Sequence, residues 1–233
     1  MSLIDKPLGQ KSYGSIGHLP GSRRGPGDHG VHEGQGRICM VKTRDKHDIV
    51  FVEEKLDGSN VGVALLGGKI LSLGRSGYLA QTSKYEQHQR FAAWVRENEL
   101  RFREVLKEGE RLCGEWLLQA HGTRYRLPHE PLVVFDLMRG QERALREELN
   151  SRLGGRFVLP RTIHVGGAFS IPEMLAHLEP SGHGALDPVE GAVWRVERRG
   201  KVDFLAKYVR PDKEDGHYLP EISGSLIWNE VTV

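Results

Sequence analysis

Residues 61–75, VGVALLGGKILSLGR, constrain the fold more than any other stretch of the chain. Two segments rich in strand-forming residues flank Gly67-Gly68. A glycine pair suits the primed turn of a two-residue hairpin, which needs positive φ at both central positions. An antiparallel pair is therefore expected here, and segments of the same kind lie on both sides. IVFVEEK (49–55) reads as a strand leading into the hairpin. RLCGEWLL and PLVVFDLM read as short apolar strands, and EGAVWRVERRGKVDFLAKYV as two strands around a turn at Arg199-Gly200. Helical spacing appears between them: Phe91, Trp94 and Val95, then Phe102, Val105 and Leu106. Leu145, Leu149 and Leu153 fall four apart, and Ser170-Ile171-Pro172-Glu173 has the form of a capping box. This order, without regular βα repeats, predicts an α+β fold with antiparallel sheets.

The 233 residues suffice for one large domain or two small ones, and 38% hydrophobic with 27% charged residues is the balance of a soluble globular chain. A net charge of +2 gives no global field for nucleic acid. The N-terminal stretch differs. Residues 8–36 are rich in Gly, Pro, His and Arg without periodicity, and Lys6, Lys11, Arg23, Arg24, Arg37, Lys42, Arg44 and Lys46 face few acids. The expected organisation is an irregular basic N-terminal arm, 1–48, and one folded domain, 49–233. The arm's charge suits phosphate contact, and equally a solvated segment wrapped over the core. Cys39 and Cys113 make no disulfide framework and no CxxC suggests zinc, so a reducing cytoplasm is expected. No apolar run approaches the roughly 18 residues of a membrane span, and no signal-peptide pattern opens the chain.

The stretch VFVEEKLDGSN, 50–60, carries a lysine with little structural use at the end of a strand. Lysine attacks phosphorus or carbonyl only as the free amine, so a nucleophilic lysine needs a pocket that favours that form. Lys-x-Asp-Gly after a strand is a compact way to aim an amine into a cleft. On these four residues alone, a solvated charge is the plainer reading of Lys55.

The rest of the chain supplies a context. EKLDGSN resembles motif I of the covalent nucleotidyltransferases, the superfamily of ATP-dependent DNA and RNA ligases and mRNA capping enzymes. GRSGY, with Arg75, resembles motif Ia; CGEWL, with Glu115, motif III; VVFDLM, with Phe135 and Asp136, motif IIIa. EGAVWRV, with Glu190, resembles motif IV, and DFLAKYV, with Lys207, motif V. Each match is degenerate, but the ordered set across 50–210 is specific. Glu54 before the lysine and Ser59-Asn60 after Asp57-Gly58 look more like RNA ligases than DNA ligases.

The resemblance implies an α+β, ATP-grasp-like nucleotidyltransferase domain of antiparallel sheets flanked by helices. Many ligases and capping enzymes continue after motif V with an OB domain, and the expectation for this chain is a domain with no C-terminal OB domain. It implies that Lys55 attacks the α-phosphorus of ATP to form a lysyl-AMP. Glu54 would lie near the adenine edge, Asn60 near the phosphates, and Arg75 would offer a fork of donors to a phosphate. Glu115 would accept from ribose hydroxyls and Phe135 would stack on the purine. Glu190 would hold a divalent metal, Mg²⁺ or Mn²⁺, and Lys207 would neutralise the α-phosphate and lower the pKa of Lys55. The partners implied are RNA 5′-phosphate and 3′-hydroxyl ends, as in RNA repair, with strand binding supplied by the arm, a partner protein or another domain. His121 is a further substrate-contact candidate, because it closely follows Glu115.

Motif V usually carries Lys-x-Lys; here Leu205-Ala206-Lys207 leaves one lysine, with Arg210 or Lys213 as replacements. Two other readings stay open. One is a nucleotidyltransferase with a different acceptor, such as a DNA ligase core or a capping guanylyltransferase. The other is a nucleotide- or RNA-binding module without catalysis.

Overall fold

The computed structural model describes residues 6–233, so residues 1–5 of the expected arm lie outside the described residues. The elements run β1 (Gly17–His18), α1 (Glu33–Met40), β2 (Asp48–Lys55), β3 (Ser59–Leu66), β4 (Lys69–Gly74), α2 (Glu86–Glu97), α3 (Glu99–Val105) and β5 (Glu110–Trp116). There follow β6 (Arg126–Leu127), β7 (Leu132–Arg139), β8 (Glu142–Arg143), α4 (Arg146–Leu153), β9 (Thr162–Gly166) and α5 (Ile171–Leu178). The chain closes with β10 (Gly191–Arg198), β11 (Lys201–Val209), α6 (Pro220–Ser223) and β12 (Glu230–Val231). The fold is mixed α+β, as expected. Among the described residues no helix is long and apolar enough to cross a membrane.

Contacts divide the chain into two units, and one division falls between Gly58 and Ser59, inside the EKLDGSN stretch. The first unit holds residues 6–14, Ser59–Gln119 and Pro131–Leu159. Its antiparallel sheet has the order β4-β3-β5-β7-β8. Gly67 and Gly68 turn the β3–β4 hairpin with φ of 57° and 69°, the primed geometry the pair suggested. Period-two alternation gives the sheet two faces. Val61, Val63, Leu112, Trp116, Leu132 and Val134 pack on one face against Phe91, Val95 and Phe102 of α2 and α3 and Leu149 and Leu153 of α4. The helical run read through 91–106 is two helices, because Asn98 leaves helical geometry (φ −105°, ψ 16°) and its side chain bonds the Trp94 carbonyl and accepts from Arg101.

The second unit holds Ser15–Gly58, Ala120–Glu130 and Pro160–Val233. Its five-stranded sheet has the order β1-β11-β10-β2-β9, antiparallel except for the short β1–β11 pair. Val50, Val52, Ala192, Trp194, Val196 and Ala206 face one side and pack with Met174 and Leu178 of α5. That helix opens with the expected capping box, in which Ser170 accepts from the Glu173 N–H and Glu173 accepts from the Ser170 N–H. Arg199 and Gly200, with φ of 49° and 76°, turn the β10–β11 hairpin.

The stretch read as irregular contains structure in both units. Residues 12 and 13 join the first unit through two N–H groups that donate to the Arg75 carbonyl. β1 and α1 join the second, where Leu19 and Cys39 are fully buried. Periodicity is silent here because β1 has two residues and α1 carries Gly34 and Gly36; packing, not propensity, holds them.

Candidate active-site residues

In the second unit, Val50 and Val52 of β2 point into the helix-covered core, so Lys55 points to the opposite face. Ala206 and Tyr208 of β11 point into the same core, which puts Lys207 on the Lys55 face as well. The register runs through β10: Lys55 pairs with Gly191, and Lys207 with Val193. Lys55 is thus the last residue of β2, paired with β10 up to the point where the chain turns, while the pairing with β9 ends at Glu53.

Glu190 immediately precedes β10 and meets that lysine. Lys55 Nζ lies 2.5 Å from Glu190 Oε2, with the lysine side chain 21% exposed and the glutamate 8%. Burial pushes the Glu190 carboxyl up to about 7; the Lys55 charge pulls it back, and Asp57 adds to the rise. Around this pair the Asp57 turn is fixed from three directions. Asp57 Oδ2 accepts from the Gly122 N–H at 3.0 Å and from Thr123 Oγ1 at 3.1 Å, and the Asp57 N–H donates to the Tyr125 hydroxyl. The segment bearing His121 is thereby tied to the Lys-x-Asp-Gly turn, and Tyr218 N–H and Lys213 Nζ hold it from behind through the carbonyls of His121 and Gly122. Burial lowers the His121 pKa, and nearby Lys55 lowers it further against the pull of Asp57.

Glu54 is placed apart from Lys55. As its strand neighbour it points to the other face, and its buried carboxylate accepts from Ser181 Oγ at 2.5 Å, the Gly182 N–H at 2.8 Å and Arg161 Nε at 3.2 Å. Lys207 Nζ lies 3.7 Å from Asp28 of the N-terminal segment. Of the replacements considered for the second motif V lysine, Arg210 pairs with Asp212 and Lys213 is buried against Gly122.

The first unit holds the other expected residues. Asn60 and Glu115 are direct cross-strand partners on β3 and β5, on the face away from the helices. The Asn60 Oδ1 atom is buried without a hydrogen-bond partner, the state of an acceptor that a bound group would complete. Phe135 sits where the β5–β7 register slips between Cys113 and Gly114, and a bulge re-aims the side chain it carries. Its ring meets Tyr13 edge-on at 5.0 Å, and the Tyr13 hydroxyl donates to Asp136 at 2.6 Å. Arg75 follows β4 in a turn closed by the Gly77 N–H to the Gly74 carbonyl, with its side chain exposed.

Sequence reasoning passed over Tyr13, His18 and Asp28 as site neighbours. All three lie in glycine-rich sequence where no period marks a buried position. A hard divalent cation suits the oxygen donor at Glu190. Among the described residues no three His, Cys, Asp or Glu side chains gather as a metal cage. Magnesium favours one or two carboxylates with water and phosphate oxygens completing its shell, so a lone Glu190 fits it.

The fold has solved counterparts. An archaeal ATP-dependent RNA ligase is similar over 85% of this chain and 48% of its own, with a TM-score of 0.53 and 21% identity. An RNA ligase variant from Naegleria gruberi, solved with AMP and Mn, is similar over 86% of this chain and 61% of its own, with a TM-score of 0.51 and 16% identity. These likenesses show the fold, and this chain spans about half the length of the archaeal ligase. No curated protein matches the chain. The model of the RNA ligase family matches residues 48–209, from the start of the strand that carries Lys55 to the end of the one that carries Lys207, and the chain belongs to that family.

Proposed function

We propose that this chain is the nucleotide-transferring part of an ATP-dependent RNA ligase. The observation that carries the reading is Lys55 Nζ at 2.5 Å from Glu190, on the sheet face away from the core, in a chain of the RNA ligase family. The Lys55 ammonium gives up a proton, and Glu190 is within hydrogen-bond distance of it. The neutral amine attacks the α-phosphorus of ATP; a P–N bond forms, the P–O bond to pyrophosphate breaks, and pyrophosphate leaves with its electron pair. AMP then passes from Lys55 to a 5′-phosphate on RNA, and a 3′-hydroxyl displaces AMP to seal the strand.

The remaining residues bind and orient. Phe135 stacks on the purine and Glu115 accepts from the ribose hydroxyls. Asn60, through its unpartnered carbonyl, takes a donor of the bound substrate, while Arg75 and Lys207 neutralise phosphate oxygens. Glu54, with its carboxylate already used by Ser181, Gly182 and Arg161, holds the strand rather than the adenine edge. Glu190 would hold Mg²⁺ or Mn²⁺, which supplies positive charge for the phosphates. The basic residues of 1–48 add phosphate contacts along RNA, and a further domain or partner completes strand binding, in the cytoplasm.

The test is transfer of label from α-labelled ATP, and in parallel GTP, to the protein with Mg²⁺, followed by denaturation. Label from ATP that survives and is lost in Lys55→Ala supports the reading. Label from GTP instead moves it to capping chemistry, and label from neither on protein purified free of bound nucleotide sinks it.

A further inference from the structure

The two lysines on the open face of the second unit's sheet each face a carboxylate. Glu190 at Lys55 belongs to the expected set. Asp28 at Lys207 does not, and it comes from the glycine-rich N-terminal segment. That segment is fixed on β11 by its backbone: His18 pairs in register with Lys207, and the Leu19 N–H donates to the Lys207 carbonyl at 2.8 Å. The His18 N–H donates to the His29 carbonyl at 2.8 Å, and the Val31 N–H donates back to the His18 carbonyl at 2.9 Å. Asp28 therefore reaches Lys207 by construction of the fold.

The two oxygens of Asp28 have different tasks. Oδ2 accepts from the Gly25 N–H at 2.9 Å, which ties the carboxylate to its own turn, and lies 3.1 Å from His18 Nε2. Oδ1 lies 3.7 Å from Lys207 Nζ, an ion-pair distance outside direct hydrogen bonding. His18 is 1% exposed, and burial, then the Lys207 charge, lower its pKa. A neutral His18 leaves the Asp28 charge to be matched by Lys207. The pair is loose and partly open to solvent, with the lysine side chain 18% exposed and the aspartate 32%. Such a contact positions little, yet it neutralises one cation.

We propose that Asp28 is an intramolecular counter-ion that occupies the Lys207 ammonium until a polyphosphate displaces it, and so sets the affinity of this site for the phosphates of a nucleotide. The proposal rests on the reading of Lys207 as a phosphate-binding lysine. One tethered charge at 3.7 Å is a weak competitor for a polyphosphate, which brings several charges and can hydrogen-bond the amine directly. Exchange then has a simple signature. Deleting the Asp28 charge removes one counter-ion from Lys207 and strengthens anion binding, whereas deleting a positioning contact weakens it.

Calorimetric titration of the full chain with inorganic tripolyphosphate tests this, using wild type, Asp28→Asn, Lys207→Met and the double variant. Asparagine keeps an oxygen for the Gly25 N–H, so the turn survives while the charge goes; where Asp28→Asn does not fold, Asp28→Ser takes its place. Asp28→Asn should lower Kd roughly two- to fivefold, the range of an exposed ion pair, and steepen the salt dependence. The gain should vanish in the Lys207→Met background, and Asp28→Glu should stay near wild type. An unchanged or raised Kd, or an equal gain without Lys207, overturns the proposal. Label on Lys55 from ATP with no effect of Asp28→Asn defeats the counter-ion alone. A wild type that neither binds tripolyphosphate nor takes label defeats both readings.

Discussion

His129 Nε2 and His183 Nδ1 share a hydrogen bond of 2.8 Å, and the backbone at both ends decides which ring carries which proton. The Arg161 N–H donates to His183 Nε2, so that nitrogen is bare and Nδ1 carries the proton. His183 therefore donates to His129 Nε2, leaving His129 Nδ1–H to donate to the Glu130 carbonyl. Both rings are neutral in this arrangement, and a second proton on either would set two N–H groups face to face.

Acid should loosen this chain of bonds. Burial, with His129 and Arg161 adding to it, lowers His183 to about 4. Between that value and the ordinary histidine pKa of about 6.5 the unfolded chain binds the proton and the folded chain does not, so stability falls as pH falls through this window. The loss expected is on the order of 3 kcal/mol. Urea midpoints measured from pH 7 to pH 4 should decline in wild type and decline less steeply in His183→Asn, whose starting stability is lower.

Glu54 is expected to be a structural residue. Removing its carboxylate leaves Arg161 Nε, Ser181 Oγ and the Gly182 N–H without their acceptor, and breaking a buried ion pair costs on the order of 3 kcal/mol. Glu54→Ala should lower the melting temperature by several degrees. Nucleotide affinity measured well below that temperature should change little; a large loss of ATP affinity with unchanged melting would instead return Glu54 to the adenine edge.

What was legible in the sequence was local. The hairpin at Gly67-Gly68, the turn at Arg199-Gly200 and the Ser170 capping box each depend on neighbours within a few residues, and the structure has all three. The placement of Glu54 opposite to Lys55 was also available, since alternation along β2 separates adjacent residues. Asp28 at Lys207, and Tyr13 at Phe135, join residues more than a hundred positions apart through segments with no period. No local signal marks such a pair. Of the motif-like segments, EKLDGSN, GRSGY and EGAVWRV span a strand end or turn, CGEWL and DFLAKYV lie at the ends of their strands, and VVFDLM lies inside β7.

Tyr13 should steady the ring of Phe135. Its hydroxyl is bound by Asp136, which also accepts from Arg143, and its ring is held between the Arg143 guanidinium at 5.1 Å and Phe135 at 5.0 Å. Tyr13→Phe keeps the ring pair and leaves a buried carboxylate one donor short, at a cost of about 1 kcal/mol or somewhat more in urea unfolding. Tyr13→Leu removes an aromatic contact worth about 1 kcal/mol, so the KM for ATP in lysine labelling should rise roughly fivefold with kcat little changed. Equal behaviour of the two variants in KM would show that the Phe135 ring does not depend on Tyr13.

The Glu190 carboxyl should titrate near neutrality in the nucleotide-free protein. Burial raises it to about 7 and Lys55 opposes the rise, so Lys55→Ala should push it higher. A raised carboxyl means that the folded chain binds a proton the unfolded chain has already lost. Stability from this group is full below the ordinary glutamate pKa of about 4.5 and is lost as pH rises through 7, the reverse of the His183 contribution. Carbon-13 spectra of glutamate-labelled protein, assigned with Glu190→Gln, would follow the carboxyl directly. Added Mg²⁺ or Mn²⁺ competes with the proton for the same oxygens and should move the midpoint down, by more at higher metal concentration. A carboxyl that titrates near 4.5 would show that the Lys55 ammonium outweighs burial. A midpoint that ignores metal, in the presence of nucleotide as well as without it, would remove Glu190 from the metal-binding role.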